Sequence, residues 1–173
     1  QRGTIIFAGV VDEEGNATGI KELVKNNLSI DYAIFGEPSG INRITISYKG
    51  RIALKLTCDV LDSAHASAPW LSKNSIEEVF EVWKLLRAEI SAKYDKTDKK
   101  SNSLSLSLTE ISGGSSHNVT PQKCKVTIDI RVPNGVKCLE ILNHLDTSIR
   151  NISEMKKVKI TYRIEDMTEP FEA

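Results

Sequence analysis

The stretch Arg51-Ile-Ala-Leu-Lys-Leu-Thr-Cys-Asp-Val60 alternates apolar and polar side chains with a period of two residues. Successive side chains of a β-strand point to opposite faces of a sheet, so this alternation predicts a strand with one buried face and one wet face. Strands of that kind are typical of antiparallel sheets that are covered on one side only.

The segments that follow complete a pattern around this strand. Apolar residues recur at helical spacing from Ile76 to Ile90, behind a Ser75-x-x-Glu78 pattern that is typical of a helix capping box. Period-two or helical patterns then predict a strand at 104–108, a strand at 124–132, a helix at 136–149 and a strand at 158–164. The order βαββαβ predicts a ferredoxin-like unit whose two helices cover one face of the sheet.

The residues before this unit have a different pattern. Thr4–Val11 is an apolar run with little alternation, which predicts a strand buried on both faces. A helix predicted at 16–26 separates it from a second short apolar strand, Asp31–Phe35. Strand, helix and strand over this length predict a βαβ unit with parallel strands and a right-handed crossover.

Acidic motifs end both of these strands, namely Asp12-Glu13-Glu14-Gly15 and Gly36-Glu37-Pro38-Ser39. Parallel strands place their carboxyl ends at one edge of a sheet, where such sheets bind ligands. Clustered carboxylates repel one another, and a divalent metal with a preference for oxygen ligands relieves that repulsion. The alternative is a solvated acidic turn, in which Asp12 is a strand-end cap or an ion-pair partner.

Composition excludes several classes of protein. The 173 residues carry 23 basic and 23 acidic side chains, and this balance disfavours binding to nucleic acid or to an anionic membrane. No run approaches the ~18 apolar residues of a membrane span. The three cysteines lack C-x-x-C spacing, and Cys58 and Cys124 fall at apolar positions of predicted strands, which favours buried thiols at these two positions and a cytoplasmic setting.

The ordered set of motifs resembles the M20 type of co-catalytic metallopeptidases, which includes acetylornithine deacetylases and succinyl-diaminopimelate desuccinylases. The resemblance rests on the two acidic motifs and on Tyr48-Lys49-Gly50, Ala64–Pro69, Gly113–Pro121 and Asp129–Pro133. Segments 11–19 and 169–173 most resemble the amidohydrolases of archaeal lysine and ornithine biosynthesis. The family also has a His-x-Asp motif upstream and a metal-binding His downstream, neither of which occurs here, so we expect a central fragment of a longer enzyme.

The resemblance implies an α/β architecture with an inserted domain. Residues 1–49 are then part of a parallel-sheet catalytic domain, residues 50–164 a ferredoxin-like lid and dimerisation domain, and residues 165–173 the return to the catalytic domain. It also implies a homodimer formed through the lid. Either a sheet edge in the Arg51–Val60 region or the helix at 75–93 could pair across its two-fold axis.

Residue roles follow from the same resemblance. Glu13 is the implied general base, and Glu14 and Glu37 are implied ligands of two divalent ions, Zn or Co. His65 is implied to polarise the scissile carbonyl in the partner subunit's active site, and the alternative is an exposed loop histidine. Asn118 and Arg131 are implied to bind substrate, where the alternatives are a turn residue for Asn118 and a cross-strand ion pair for Arg131.

These assignments predict a metal-dependent amidohydrolase that releases lysine or ornithine from an N-acyl or carrier-protein-linked precursor. The fragment alone is expected to be inactive, because it lacks several of the implied metal ligands. A dipeptidase and a desuccinylase of the same family stay open as alternatives. From another class, the βαββαβ unit could be a non-catalytic dimerisation or ligand-sensing module.

Overall fold

The computed structural model describes residues 3–37, 40–94 and 103–173. The chain divides into two compact units, residues 1–44 and residues 45–173. The described elements are α1 (Thr18–Lys25), β1 (Ser47–Tyr48), β2 (Gly50–Asp59), α2 (Ser75–Tyr94), β3 (Ser105–Gly113), β4 (Lys123–Val132), α3 (Cys138–Lys156), β5 (Lys159–Thr168) and β6 (Phe171–Glu172), with a 3₁₀ turn at Pro69–Leu71.

The larger unit contains a four-stranded antiparallel sheet with the strand order β3-β4-β2-β5. With α2 between β2 and β3 and α3 between β4 and β5, this is the predicted βαββαβ unit. The order corrects one expectation. The Arg51–Val60 segment is not a sheet edge, because β2 is paired on both sides, and the two edges are β3 and β5.

The core of this unit lies between the sheet and the two helices. The alternation in β2 buries the predicted apolar set, and β4 contributes the matching residues opposite it. The largest fully buried side chains are Ile52, Leu54, Leu56, Leu86, Ile90, Ile128, Ile130, Ile141, Leu145, Val79, Val82 and Val126. The other face of β2 and β4 is polar, as predicted, and carries residues such as Arg51, Lys55, Lys125, Thr127, Asp129 and Arg131.

Helix α2 begins with a cap that differs from the predicted one. Asn74 Oδ1 accepts the Ile76 N–H at 3.0 Å, and Asn74 Nδ2 donates to Glu77 Oε1 at 3.0 Å. The capping residues are therefore Asn74 and Glu77, one position earlier than the predicted Ser75 and Glu78. Ser75 is instead the first helical residue, and its side chain is buried.

A short two-stranded ribbon brings the chain into and out of the sheet unit. In it β1 pairs with β6, the rings of Tyr48 and Phe171 stack with centroids 5.7 Å apart, and Ala173 N–H donates to Ile46 O at 2.9 Å. Gly50 is the first residue of β2 and is separated from β1 by one residue. A Cβ atom there would lie 2.6 Å from Pro170 Cδ, so only glycine fits beside this turn of the chain.

The smaller unit corrects the predicted βαβ arrangement. Helix α1 forms within the predicted range, but Thr4–Val11 and Asp31–Phe35 form no strand, and Ile5, Phe7 and Ile34 are almost fully exposed. A strand buried on both faces needs neighbouring strands and covering layers. The described residues of this unit supply one short helix and no second layer, so these segments have nothing to pair with.

Candidate functional site

Two loops that carry predicted site residues are joined by backbone hydrogen bonds. Ala66 N–H donates to Asn118 O at 2.7 Å, and Thr120 N–H donates to Ala64 O at 2.8 Å. His65 and Val119 form an isolated antiparallel bridge between these two bonds. The structure therefore places His65 and Asn118 together, on two short extended segments that we call the paired loops (64–66 and 118–120).

The Thr120 side chain joins the paired loops by hydrogen bonds, and this role was not predicted from the sequence. Its side chain is only 6% exposed. Its hydroxyl accepts the Ala64 N–H at 2.7 Å and lies 3.3 Å from Ala64 O, to which it donates. A threonine in a loop gives no sequence signal for this role, because the partner lies 56 residues away in the chain.

The His65 ring is oriented by its own turn. The Ser67 N–H donates to His65 Nδ1 at 3.2 Å, and the Ser67 hydroxyl lies 2.8 Å from the same nitrogen. A backbone N–H can only donate, so Nδ1 is an acceptor and the proton of the neutral ring is on Nε2. His65 therefore presents an N–H donor at Nε2.

Asn118 offers a second donor on the facing segment of the paired loops. The Ser116 hydroxyl donates to Asn118 Oδ1 at 2.6 Å, which occupies the oxygen of the amide and leaves its NH₂ group for another ligand. Each of these side chains is an N–H donor of the kind that can bind an oxygen atom that gains negative charge during a reaction.

Arg131 lies apart from these donors. Asn118 precedes the first residue of β4, Lys123, whereas Arg131 is the second-last residue of that strand. Eight residues of extended chain from Lys123 to Arg131 span roughly 27 Å. Arg131 Nε donates to Asp129 Oδ1 at 2.7 Å. Asp129 lies on the same strand, so Arg131 does not form with it the cross-strand ion pair that was the alternative.

The acidic turn of the smaller unit is ordered by Asp12. Its Oδ2 accepts the Thr18 hydroxyl at 2.9 Å and the Asn16 N–H at 3.2 Å, and these two bonds lower the pKa of Asp12 below its ordinary value. A Cβ atom on Gly15 would collide with Asp12 Oδ1. Asp12 therefore orders the turn that leads into α1, and the strand that it was expected to cap does not form.

The predicted metal ligands do not form a site in the described part of the chain. Glu13, Glu14 and Glu37 are exposed, and Pro38 and Ser39 of the second acidic motif lie outside the described residues. Among the residues that the structure describes, no three His, Cys, Asp or Glu side chains converge to hold a metal ion. Carboxylates are suitable donors, but a catalytic zinc takes three protein ligands, so the described residues do not fit a complete metal centre.

The cysteines do not add a nucleophile. Cys58, Cys124 and Cys138 are free and buried, as predicted for the first two. Burial raises the pKa of all three thiols, to about 11 for Cys58 and for Cys138. They are therefore protonated and inert in the folded chain at neutral pH.

Comparison with known proteins assigns the family. The model of the peptidase dimerisation domain of M20 enzymes matches residues 46–155, which is more than half of the chain. The chain belongs to this M20 dimerisation-domain family. The match lies within the larger unit and contains both paired loops and Arg131.

Relatives of the M20 chain extend beyond this domain. It is 29% identical over 164 residues to a [LysW]-lysine/[LysW]-ornithine hydrolase of Saccharolobus solfataricus, covering 89% of this chain and 43% of that protein. It is 28% identical over 163 residues to the protein of the same name in Saccharolobus islandicus strain Y.N.15.51, covering 91% and 44%. The chain thus spans less than half the length of these relatives.

Solved structures share the fold of the chain. A hydantoinase/carbamoylase family amidase from Burkholderia multivorans matches with a TM-score of 0.56 at 16% identity, over 73% of this chain and 30% of that chain. An aminobenzoyl-glutamate utilization protein from Klebsiella pneumoniae matches with a TM-score of 0.56 at 11% identity, over 78% and 34%. In the described residues of the M20 chain, every helix is too short or too polar to cross a bilayer.

Proposed function

We propose that the protein carrying this chain is a metal-dependent amidohydrolase that releases lysine or ornithine from an N-acyl or carrier-protein-linked precursor. The observation that carries the proposal is the Nε2 donor of His65, held on hydrogen-bonded loops of an M20 domain, with the amide of Asn118 on the facing loop segment. The names of the Saccharolobus relatives support the choice of lysine and ornithine.

The two donors suit the attack on an amide. The carbonyl oxygen of the scissile amide gains negative charge as the bond is attacked, and donors fixed in advance stabilise that charge. Glu13 is the proposed general base, Glu14 and Glu37 are proposed ligands of Zn or Co, and further ligands come from outside the 173 residues. Arg131 is proposed to bind the free carboxylate of the substrate through its guanidinium.

The length of β4 supports a homodimer in which two subunits share each active site. Arg131 and the paired loops lie at opposite ends of that strand, roughly 27 Å apart along it. One lid domain is therefore poorly placed to deliver both groups to a single small substrate. We propose that His65 and Asn118 reach the active site of the partner subunit, whereas Arg131 serves the site of its own subunit.

Mixed dimers of the full-length protein test this arrangement. The homodimers of His65→Ala and of Glu13→Gln should each be nearly inactive, because the first lacks the donor and the second lacks the base. In a mixed dimer one site combines Glu13 of one chain with His65 of the other. Activity should return to about half the wild-type rate per mixed dimer, since one of two independent sites is intact.

A matched control uses His65→Ala mixed with the double variant His65→Ala/Glu13→Gln, which contains no intact site in any arrangement. It should stay inactive. If subunits exchange and the first mixture shows no more activity than this control, His65 does not act in the partner's site.

Variants of Glu13 and of Glu14 should differ in their metal content. Glu13→Gln in the full-length protein should lower turnover by about 10²–10⁴-fold with the metal retained, because a general base has been removed. Glu14→Gln should lose metal as well as activity. Metal analysis of both purified variants decides between these roles, and equal metal loss in the two would contradict the division.

A non-catalytic module is the second candidate, and the lack of a three-ligand metal cluster among the described residues favours it for the chain by itself. The isolated 173 residues with Zn or Co should show no turnover of N-acyl-ornithine substrates. The full-length protein should hydrolyse at least one of them. Absence of hydrolysis and of bound metal in the full-length protein would favour the non-catalytic module instead.

A further inference from the structure

Four charged side chains of alternating sign form a line across three strands on the polar face of the sheet. Arg51 Nη1 on β2 lies 3.6 Å from Asp166 Oδ2 on β5, and Arg51 Nε donates to Asp129 Oδ2 on β4 at 2.7 Å. Arg131 Nε then donates to Asp129 Oδ1 at 2.7 Å. We call Asp166, Arg51, Asp129 and Arg131 the charge line, and its positive end is Arg131.

Asp129 is the central member of the charge line. Its side chain is 13% exposed, whereas that of Arg131 is 50% exposed. Each of its two oxygens accepts an Nε–H from a different arginine. Arg51 and Arg131 are directly opposite each other in the β2–β4 register, where like charges destabilise a sheet. Asp129 therefore allows two guanidinium groups to lie side by side.

The hydrogen bond at Arg131 Nε also determines which N–H groups of Arg131 are available to a ligand. A guanidinium can bind a carboxylate through two parallel N–H bonds along one edge of its plane. Because Asp129 holds Nε, the edge formed by the two Nη atoms is turned away from Asp129. A carboxylate bound there would continue the alternation of charge along the line.

We propose that Asp129 is a positioning residue that orients Arg131 to receive a carboxylate, and that Arg51 fixes Asp129 from the neighbouring strand. The inference rests on the proposed function in one respect, namely that the ligand is the free carboxylate of an amino-acid-like substrate. Asp129 itself does not touch that ligand.

Arginine side-chain NMR of the 173-residue chain tests the proposal without any need for turnover. The probes are N-acetyl-L-ornithine and its carboxamide, which keeps the side-chain ammonium group and lacks the carboxylate. In the wild-type chain the Arg131 Nε–H signal should respond to the carboxylate and not to the carboxamide. Asp129→Asn preserves the size of the side chain, and it should weaken carboxylate binding about tenfold, which corresponds to ~1.4 kcal/mol.

Two further variants make the result specific. Asp59→Asn removes an ion pair of 3.1 Å with Lys123, which joins the same two strands at their other end, and it should bind like the wild type. Arg51→Met removes the second arginine and should weaken binding less than Asp129→Asn. Circular dichroism of each variant should match the wild type, and Asp129→Glu should recover part of the binding.

The proposal is overturned if Asp129→Asn binds the carboxylate as the wild type does, or if the Arg131 signal of the wild type ignores both probes. The proposed function fails separately. If the full-length protein hydrolyses no N-acyl amino acid while Asp129→Asn still weakens carboxylate binding, the positioning role stands and the assigned reaction does not.

Discussion

The two units of this chain contain similar apolar residues and use them in opposite ways. In residues 45–173 the apolar side chains of β2 and β4 are buried under two helices, whereas in residues 1–44 those of Thr4–Val11 are mostly exposed. The difference is the presence of partners. A period-two strand with one wet face needs one covering layer, but a strand that is apolar on both faces needs two. Apolar content alone therefore does not decide whether a segment forms a strand.

Replacing isoleucine by alanine should give the largest difference in stability between the two units. Ile130 is 0% exposed and Ile34 is 98% exposed. Ile130→Ala should lower the free energy of unfolding by about 2–5 kcal/mol, because it leaves a cavity in the core. Ile34→Ala should change it by less than about 0.5 kcal/mol. Urea unfolding followed by circular dichroism measures both, and equal losses would contradict the comparison.

Thr120→Val should have the next largest effect. Valine keeps the shape of the side chain but leaves the buried Ala64 N–H without the hydroxyl that it donates to, which costs about 1–3 kcal/mol. Thr120→Ser retains the hydroxyl and is the matched control, with a smaller loss. Hydrogen exchange of the Ala64 amide should become faster only in the valine variant. Unchanged exchange there would show that the hydroxyl does not fasten the paired loops.

The cap of α2 predicts a smaller effect. Asn74→Ala should destabilise the chain by about 1 kcal/mol, because the Ile76 N–H loses its acceptor. Ser75→Ala should be neutral or stabilising, since in the described structure the buried Ser75 Oγ has no hydrogen-bond partner. Thermal unfolding of both variants compares the observed cap with the one expected from sequence, and a larger loss in Ser75→Ala would restore the latter.

The smallest effect on stability is expected in the acidic turn that contains Asp12. Asp12 has a pKa below 3.8 because the Thr18 hydroxyl and then the Asn16 N–H bind its charged form. A carboxyl group whose pKa is lower in the folded than in the unfolded chain stabilises the fold at pH values above its unfolded pKa. That stabilisation is lost as the pH falls through its folded pKa. NMR titration of Asp12 should give a midpoint below 3.8, and Thr18→Val should raise it. A midpoint that Thr18→Val leaves unchanged would assign the shift to another cause.

The sheet unit could be predicted because its pattern is local. Alternation in β2 and the apolar stripe of α2 specify burial without reference to distant residues. The segments Thr4–Val11 and Asp31–Phe35 were predicted wrongly as strands, because an apolar run has the same sequence whether or not neighbouring strands are present. The predicted domain limits, 1–49, 50–164 and 165–173, remain predictions about the longer protein.

The roles of the candidate site residues remain predictions, and their arrangement could not be predicted from the sequence. His65, Asn118 and Arg131 followed from motifs, but their separation into two groups depends on the length and direction of β4. The contact of Thr120 with Ala64 and the proposed role of Asp129 were missed, because Ala64 and Arg51, to which these residues bind, lie far away in the chain. Arg51 and Asp129 are 78 residues apart, and only the antiparallel register brings them together.

The ribbon of β1 and β6 has a consequence for how such a domain is inherited. The chain enters and leaves the sheet unit through these two paired strands, and beside them Ala173 N–H donates to Ile46 O at 2.9 Å. Domains whose two ends are close together tolerate insertion into a host protein. A gene segment that encodes residues 46–173 could therefore be spliced into a surface loop of an unrelated host without forcing that loop apart. Gly50 beside Pro170 and the stacked rings of Tyr48 and Phe171 belong to the same segment, so they would hold its two ends together in the new host.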